Sequence, residues 1–118
     1  MEEHRQHIRV SKALTISYKI PSQFITSGCS SKNISGGGIC MPIMQGYASG
    51  LVLELKFKLR ELSVPIIAFG KIVWTRKTDN AVFPFEIGVT FIEIDPRDRY
   101  KIMSHIQQDN SGVVKWLE

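Results

Sequence analysis

The sequence predicts an all-β protein, a small antiparallel barrel or sandwich that one helix covers near the C-terminus. Three observations lead to this fold class. Apolar and polar residues alternate with a period of two over most of the chain, as in half-buried strands. Turn-forming residues separate about six segments of ordinary strand length. A helical pattern appears only after the last of these segments.

Four long segments carry the clearest strand pattern: 10–20, 51–61, 64–76 and 84–94. In each of them most alternate positions are apolar, so one face of the strand can be buried while the other meets solvent. Two shorter strands are expected within 24–42, joined through a corner of three consecutive glycines. Together these segments predict six strands, enough for a small barrel.

A helix is predicted over 95–108, where the sequence reads DPRDRYKIMSHIQQ. Asp95 is a suitable N-cap because its carboxylate can accept a backbone N–H of the first turn, and Pro96 suits the first helical position. Four apolar side chains at helical spacing are expected to cover the barrel: Tyr100, Met103 and Ile106, with Ile102 beside them.

A single domain over residues 1–118 is expected, since this length suits one hydrophobic core and no repeat or linker interrupts it. Its parts are a flexible arginine arm (1–9), the barrel (10–94), the helix (95–108) and a tail (109–118). The tail carries apolar residues that either pack on the core or form an interaction surface.

Composition and charge exclude several classes of protein. Hydrophobic residues make up 43% of the chain and charged residues 22%, which is typical of a globular rather than a disordered protein. The net charge of +4 favours anionic partners without naming one. Cys29 and Cys40 stand apart, so neither a zinc site nor a disulfide framework is indicated. The sequence shows no signal peptide and no apolar run of membrane-spanning length, so we expect a cytoplasmic protein without membrane insertion.

Two arginines, Arg5 and Arg9, form an RxxxR motif before the first strand. A guanidinium group presents a planar fork of donors that fits phosphate oxygens or the O6 and N7 edge of guanine, and its flat face can stack on bases. The pair could therefore clamp an anionic nucleotide. The alternative is a solvated charged arm without a ligand.

The segment NISGGG (33–38), here called the glycine corner, has the pattern N-x-S-x-x-G in Asn33, Ser35 and Gly38. An amide and a hydroxyl can hydrogen-bond a base edge or a phosphate, and a glycine lets a ligand approach the backbone. Exposed N–H groups of such a turn can also bind an anion. The alternative is an ordinary tight turn, because Asn, Ser and Gly favour turns for local reasons.

With both motifs in this order, the chain resembles the PilZ domain family, bacterial receptors for the second messenger cyclic di-GMP. RQHIR matches the family's RxxxR, and NISGGG matches its D/N-x-S-x-x-G. GKIVW resembles a strand that the family usually carries, and EIGVTFIEID resembles its closing strand before a C-terminal helix. The resemblance implies a six-stranded antiparallel β-barrel of Greek-key type with a helix over one end.

The resemblance also implies a site for cyclic di-GMP. The two arginines would hold phosphate and guanine, the asparagine and the serine would bond a guanine edge, and the glycine would leave room for the ligand. The asparagine replaces the commoner aspartate, which predicts weaker affinity because an amide offers one uncharged acceptor oxygen. The histidine before the first arginine leaves open whether one ligand or a stacked pair binds, and the strand tryptophan either flanks the site or packs structurally. The ligand-binding positions are Arg5, Arg9, Asn33, Ser35 and Gly38, with His4 and Trp74 as further candidates.

The expected function is that of a receptor or adaptor with cyclic di-GMP as ligand, no cofactor, and a separate effector protein as partner. An enzyme is not expected, because Ser35 has no evident His base beside it and the acidic residues show no paired spacing. A metal site is not expected either, because His4 and His7 lack a third ligand nearby. Two alternatives stay open: a PilZ-like adaptor that binds protein alone, and a barrel that binds single-stranded nucleic acid. The basic residues for that last alternative are Lys56, Lys58, Arg60, Lys71 and Arg76.

Overall fold

A computed structural model describes residues 10–11, 14–24, 26–59 and 64–109. These residues form one sheet and one helix. The elements in chain order are β1 (Val10–Ser11), β2 (Thr15–Lys19), β3 (Ser27–Ser30), β4 (Asn33–Ile34), β5 (Gly38–Ile43), β6 (Val52–Phe57), β7 (Ile66–Lys77), β8 (Phe85–Glu93) and α1 (Pro96–Asp109).

The strands of the described residues lie in the order β1-β4-β5-β8-β7-β6-β2-β3, and every pairing is antiparallel. β2 pairs with β3 and β6, while β1, just before it in the chain, pairs with β4 near the opposite end of this order. The first hairpin therefore joins both ends of the sheet and curls it into a barrel. β6, β7 and β8 follow one another as neighbours, and β8 lies beside β5, which is a Greek-key arrangement.

The predicted count of six strands is corrected to eight, because the first hairpin is interrupted. Leu14 and Ser31 lie between its two halves. The backbone N–H of Ser31 donates to the carbonyl of Leu14 at 2.9 Å, and the N–H of Leu14 donates to Ser31 Oγ at 3.0 Å. The serine hydroxyl thus replaces a backbone acceptor. The register of β1 against β4 differs by one residue from that of β2 against β3. The region 24–42 accordingly contributes to three strands, β3, β4 and β5, rather than two.

The core lies inside the curled sheet and is built from alternate residues of the strands, as the period-two pattern predicts. Ile16, Leu55 and Ile87 are fully buried there, and the rings of Phe57 and Phe91 stack with their centroids 6.3 Å apart. Full burial of such a side chain contributes about 1.5–3 kcal/mol. This inner packing leaves the other face of each strand available for a ligand or partner.

The helix begins as the sequence predicts, and two of the four side chains expected to cover the barrel, Ile102 and Ile106, are buried. The Asp95 carboxylate accepts the backbone N–H of Arg97 at 2.8 Å, which confirms the N-cap. The prediction that Tyr100 and Met103 cover the barrel is wrong, since they are 70% and 39% exposed. Tyr100 lies about 200° around the helix from Ile102, and the buried face instead consists of Ile102, His105 and Ile106. Within the described residues, no helix is both long and apolar enough to span a membrane.

Candidate functional site

The turn of the glycine corner uses its own polar groups to hold itself closed. Ser35 is 3% exposed. Its backbone N–H donates to the Gly38 carbonyl at 2.9 Å, and its Oγ accepts the N–H groups of Gly37 and Gly38 at 3.1 and 3.2 Å. The corner therefore turns two backbone donors toward its own serine. This is the local turn that the sequence allowed as an alternative to a ligand contact.

Gly38 is required by the packing of β5 against β8. A Cβ atom at this position would lie 2.2 Å from the carbonyl oxygen of Val89, far inside van der Waals contact. The neighbouring Gly37 carbonyl accepts the backbone N–H of Phe91 at 2.9 Å, which ties the turn to the same strand. The space above Gly38 on this side is thus filled by the protein itself, and its role toward a ligand stays a prediction.

Four residues on four adjacent strands, Asn33, Cys40, Gly88 and Trp74, lie opposite one another in a row. Residues that lie directly opposite across antiparallel strands project to the same side of the sheet. Their chain neighbours Ile34, Ile39, Ile87 and Val89 are buried in the core, so this cross-strand row lies on the outer face. With about 4.8 Å between strands, the row spans about 14 Å. It places Asn33 and Trp74 at the two ends of one surface.

A bulge in β7 directs Trp74 outward. Ile72 pairs with Val89 and points into the core, and strict alternation would point Trp74 the same way. The register shifts between Ile72 and Trp74, so Trp74 pairs with Gly88 instead. A bulge of this kind re-aims the side chains that follow it. Trp74 is consequently 37% exposed on the outer face rather than packed in the core.

The indole of Trp74 lies across Gly88. A Cβ atom on Gly88 would lie 2.2 Å from Trp74 Nε1, so only a glycine leaves space for the ring. The guanidinium carbon of Arg76 lies 5.4 Å from the centroid of the Trp74 ring, within the range of a cation–π interaction. The indole is therefore held against Gly88 with Arg76 near the ring, and part of the ring stays exposed.

Beside this row, one buried carboxylate holds two exposed cations, and we call Lys32, Arg76 and Glu86 the Glu86 cluster. Lys32 Nζ lies 2.7 Å from Glu86 Oε2, and Arg76 Nε donates to Glu86 Oε1 at 3.0 Å, with Nη2 bonded to the same oxygen. The Glu86 side chain is 4% exposed, whereas those of Lys32 and Arg76 are 55% and 65% exposed. The carboxylate is thus largely withdrawn from water, and the cations remain accessible.

The electrostatics of the Glu86 cluster keep the carboxylate ionised. Burial alone would raise the pKa of Glu86, but the hydrogen bonds and charges of Lys32 and Arg76 outweigh it and hold that pKa below its usual value. The hydrogen bond to Glu86 in turn raises the pKa of Lys32. At neutral pH the cluster therefore carries two positive charges and one negative charge, an excess that favours an anion on this face.

The positions predicted from the sequence are only partly within the described residues. Arg5, Arg9 and His4 lie outside them. The described chain starts at Val10, which pairs with Ile34, the residue after Asn33. Glu86 was not predicted as a site residue, and Arg76 was predicted only as a candidate for nucleic-acid binding. The alternation of β8 could have assigned Glu86 to the outer face with Gly88. It could not have given the register of β8 against β7, which places Glu86 opposite Arg76.

A concave region lies at the other end of β5 from the glycine corner. It is a cavity of about 220 Å³ lined by Tyr18, Lys19, Ile20, Gln23, Ser27, Met44, Gln45 and Tyr47. None of the predicted site residues within the described part of the chain lines it. Among the described residues, no group of three or more His, Cys, Asp or Glu side chains is arranged to hold a metal ion.

A comparison with known protein families matches residues 3–108 to the PilZ domain. The chain belongs to the PilZ domain family. The match covers both the RxxxR motif and the glycine corner, and it confirms the family that the motifs indicate. A search of curated proteins finds no match.

Solved structures of PilZ proteins share the fold. The Bacillus subtilis Inhibitor of motility (MotI/DgrA) superposes with a TM-score of 0.80 at 19% identity, over 96% of this chain and 55% of that one. The PilZ domain of YcgR from Escherichia coli with c-di-GMP superposes with a TM-score of 0.63 at 10% identity, over 95% of this chain and 100% of that one. YcgR of Escherichia coli in complex with c-di-GMP superposes with a TM-score of 0.69 at 12% identity, over 92% of this chain and 46% of that one. This chain thus spans about half the length of the first and the third, and these similarities confirm the antiparallel barrel with its C-terminal helix.

Proposed function

We propose that this PilZ domain is a receptor for cyclic di-GMP, and that the ligand binds on the cross-strand row. The observation that carries the proposal is the row itself, because it brings Asn33 of the glycine corner and Trp74 onto one outer surface. β1, the strand that follows the RxxxR motif, pairs at Val10 with Ile34, so it lies at the Asn33 end of this surface. The c-di-GMP-containing YcgR structures, which share the fold, support the choice of ligand.

Each group on this surface suits one part of a cyclic dinucleotide that carries two guanines and two phosphates. Arg5 and Arg9 supply guanidinium groups for phosphate oxygens and a guanine edge. The amide of Asn33 offers donors and an acceptor to a base edge. The exposed part of the Trp74 ring offers a flat surface on which a base can stack. Ser35 and Gly38 contribute mainly by holding the corner in the shape that presents Asn33.

We further propose that the ligand signals by joining residues 1–9 to the barrel surface. Arginines bound to the ligand would carry this segment onto the cross-strand row, and the combined surface would differ from that of the ligand-free protein. A separate effector protein that binds one of these two surfaces would then respond to the ligand concentration. This is the role of a binding module, and no catalytic step is part of it.

The test is calorimetric titration of cyclic di-GMP into the purified protein, with GTP as the ligand control and Arg5→Ala/Arg9→Ala as the variant control. We expect micromolar or tighter binding that the double variant loses, together with a defined stoichiometry. Absence of binding at high cyclic di-GMP concentration would favour the adaptor that binds protein alone. Binding to single-stranded nucleic acid that weakens steeply with salt would favour the nucleic-acid alternative.

A further inference from the structure

We propose that Arg76 is a third arginine of the ligand site, and that Glu86 is the residue that positions it. The inference rests on the proposed function. Arg76 and Trp74 would together receive one guanine of the ligand, with the base stacked on the indole and its O6 and N7 edge bonded by the guanidinium. Neither the RxxxR motif nor the glycine corner contains these residues.

Arg76 is exposed and yet fixed. An exposed arginine ordinarily samples many rotamers, and ordering it on binding costs free energy. Here Nε and Nη2 are bonded to a carboxylate that is itself 4% exposed, and the guanidinium carbon lies 5.4 Å from the Trp74 ring centroid. The side chain is already ordered while 65% of it stays accessible. Such a donor group loses little further entropy when a ligand arrives.

The N–H donors of Arg76 are divided between two edges of its guanidinium group. Glu86 Oε1 occupies the edge formed by Nε and one N–H of Nη2. Within the described part of the chain, Nη1 has no partner. The edge that Nη1 shares with Nη2 has the fork geometry that fits the two acceptors of guanine, O6 and N7. A lysine at this position would keep the charge and lose the fork.

Glu86 connects the two ends of the cross-strand row. It bonds Lys32, the residue before Asn33, through Oε2, and it bonds Arg76, two residues after Trp74, through Oε1. One carboxylate thus fixes a cation at each end of the surface. If it acted only through its charge, its negative charge would oppose an anionic ligand and its removal would tighten binding. If it positions the arginine, its removal weakens binding despite the more favourable charge.

The experiment compares three single variants with the wild-type protein by calorimetric titration of cyclic di-GMP and, for base specificity, of cyclic di-AMP. Arg76→Lys keeps the charge and removes the fork, and Glu86→Gln removes the charge and keeps the shape. Arg97→Lys is the matched control, because Arg97 is also an exposed arginine bound to a carboxylate, that of Asp95, but lies at the start of the helix. Thermal melting of each variant verifies folding.

We expect Arg76→Lys to weaken cyclic di-GMP binding about tenfold, the loss typical of one bidentate guanine contact, and to narrow the preference over cyclic di-AMP. Glu86→Gln should weaken binding in the same direction, and Arg97→Lys should leave it unchanged. The inference is overturned if the wild-type protein binds while Arg76→Lys matches Arg97→Lys, or if Glu86→Gln binds more tightly than wild type. No binding by the wild-type protein would instead overturn the proposed function, and this inference with it.

Discussion

The turn of the glycine corner and the Glu86 cluster lie on neighbouring strands, but they use polar groups in opposite ways. In the turn, the hydroxyl of Ser35 is buried and bonds the backbone of its own loop. In the cluster, the buried group is the carboxylate of Glu86, and the cations that it holds remain exposed. The glycine-corner motif therefore mainly stabilises its own backbone turn. Lys32, Arg76 and Trp74, which lie outside that motif, present charge and an aromatic surface on the outer face.

The largest effect on stability should come from disturbing the packing of the glycine corner against β8. Gly38→Ala places a Cβ atom where the Val89 carbonyl oxygen lies 2.2 Å away, and such overpacking against backbone should lower the free energy of unfolding by about 3 kcal/mol. Chemical denaturation measures this change. Gly28→Ala is the control, because a Cβ atom at Gly28 would lie 3.6 Å from the carbonyl oxygen of Ile16, at ordinary van der Waals distance. Equal stability of the two variants would mean that Gly38 is not part of the scaffold, and it would remove the contrast between the two regions.

An intermediate effect should follow from titrating the Glu86 cluster. The pKa of Glu86 is lowered in the folded protein from an ordinary value of 4.5, so its ion pairs stabilise the fold fully above that pH. This stabilisation is lost as the pH falls through the lower folded pKa. Thermal melting from neutral pH downward should show a loss of stability that is smaller in Glu86→Gln than in wild type.

Asp95 is the reference for that measurement, since its hydrogen bonds to Arg97 lower its pKa to about 2. The stabilisation by Asp95 should likewise be lost below its ordinary pKa, and Asp95→Asn should reduce that part of the pH dependence independently of Glu86→Gln. A Glu86→Gln variant with the same acid dependence as wild type would show that the cluster does not hold an ionised carboxylate.

The smallest effect concerns Asn33, the residue of the corner that lies on the cross-strand row. Asn33→Asp should tighten cyclic di-GMP binding a few-fold, because a carboxylate accepts guanine N–H groups with the help of its charge. Calorimetric titration measures it. Asn80→Asp adds the same charge in a turn where the Asn80 side chain bonds the backbone of Val82 and Phe83, so its affinity should not change. Weaker binding by Asn33→Asp would contradict the assigned contact.

Local patterns predicted the elements better than the surfaces. The alternation of β6, the shared core face of Ile87, Val89 and Phe91 on β8, and the cap at Asp95 follow from neighbouring residues alone, and they are confirmed. The interruption at Ser31 depends on a side-chain hydrogen bond across the first hairpin, which periodicity does not contain. The helix face was misassigned because Tyr100 and Ile102 were placed on one stripe although they lie on opposite sides.

Candidate site residues were predictable where they belong to a motif. Asn33, Ser35 and Gly38 were proposed because their spacing is recognisable in one strand connection. Trp74 reaches the same surface through a bulge in β7, which reverses the side that alternation predicts. Glu86 and Arg76 meet through the register of β7 against β8. Registers and bulges depend on contacts between distant segments, so Glu86 and Arg76 could not be assigned to this surface in advance, and Trp74 was named only as a further candidate.

The most direct test of the central claim is to map cyclic di-GMP on the isotope-labelled protein by NMR chemical shifts. If the ligand binds on the cross-strand row, the largest changes should appear at the backbone amides of Asn33, Cys40 and Gly88 and at the indole N–H of Trp74. Changes concentrated instead around the cavity that contains Tyr18 and Tyr47 would contradict the account, because that cavity lies at the other end of β5.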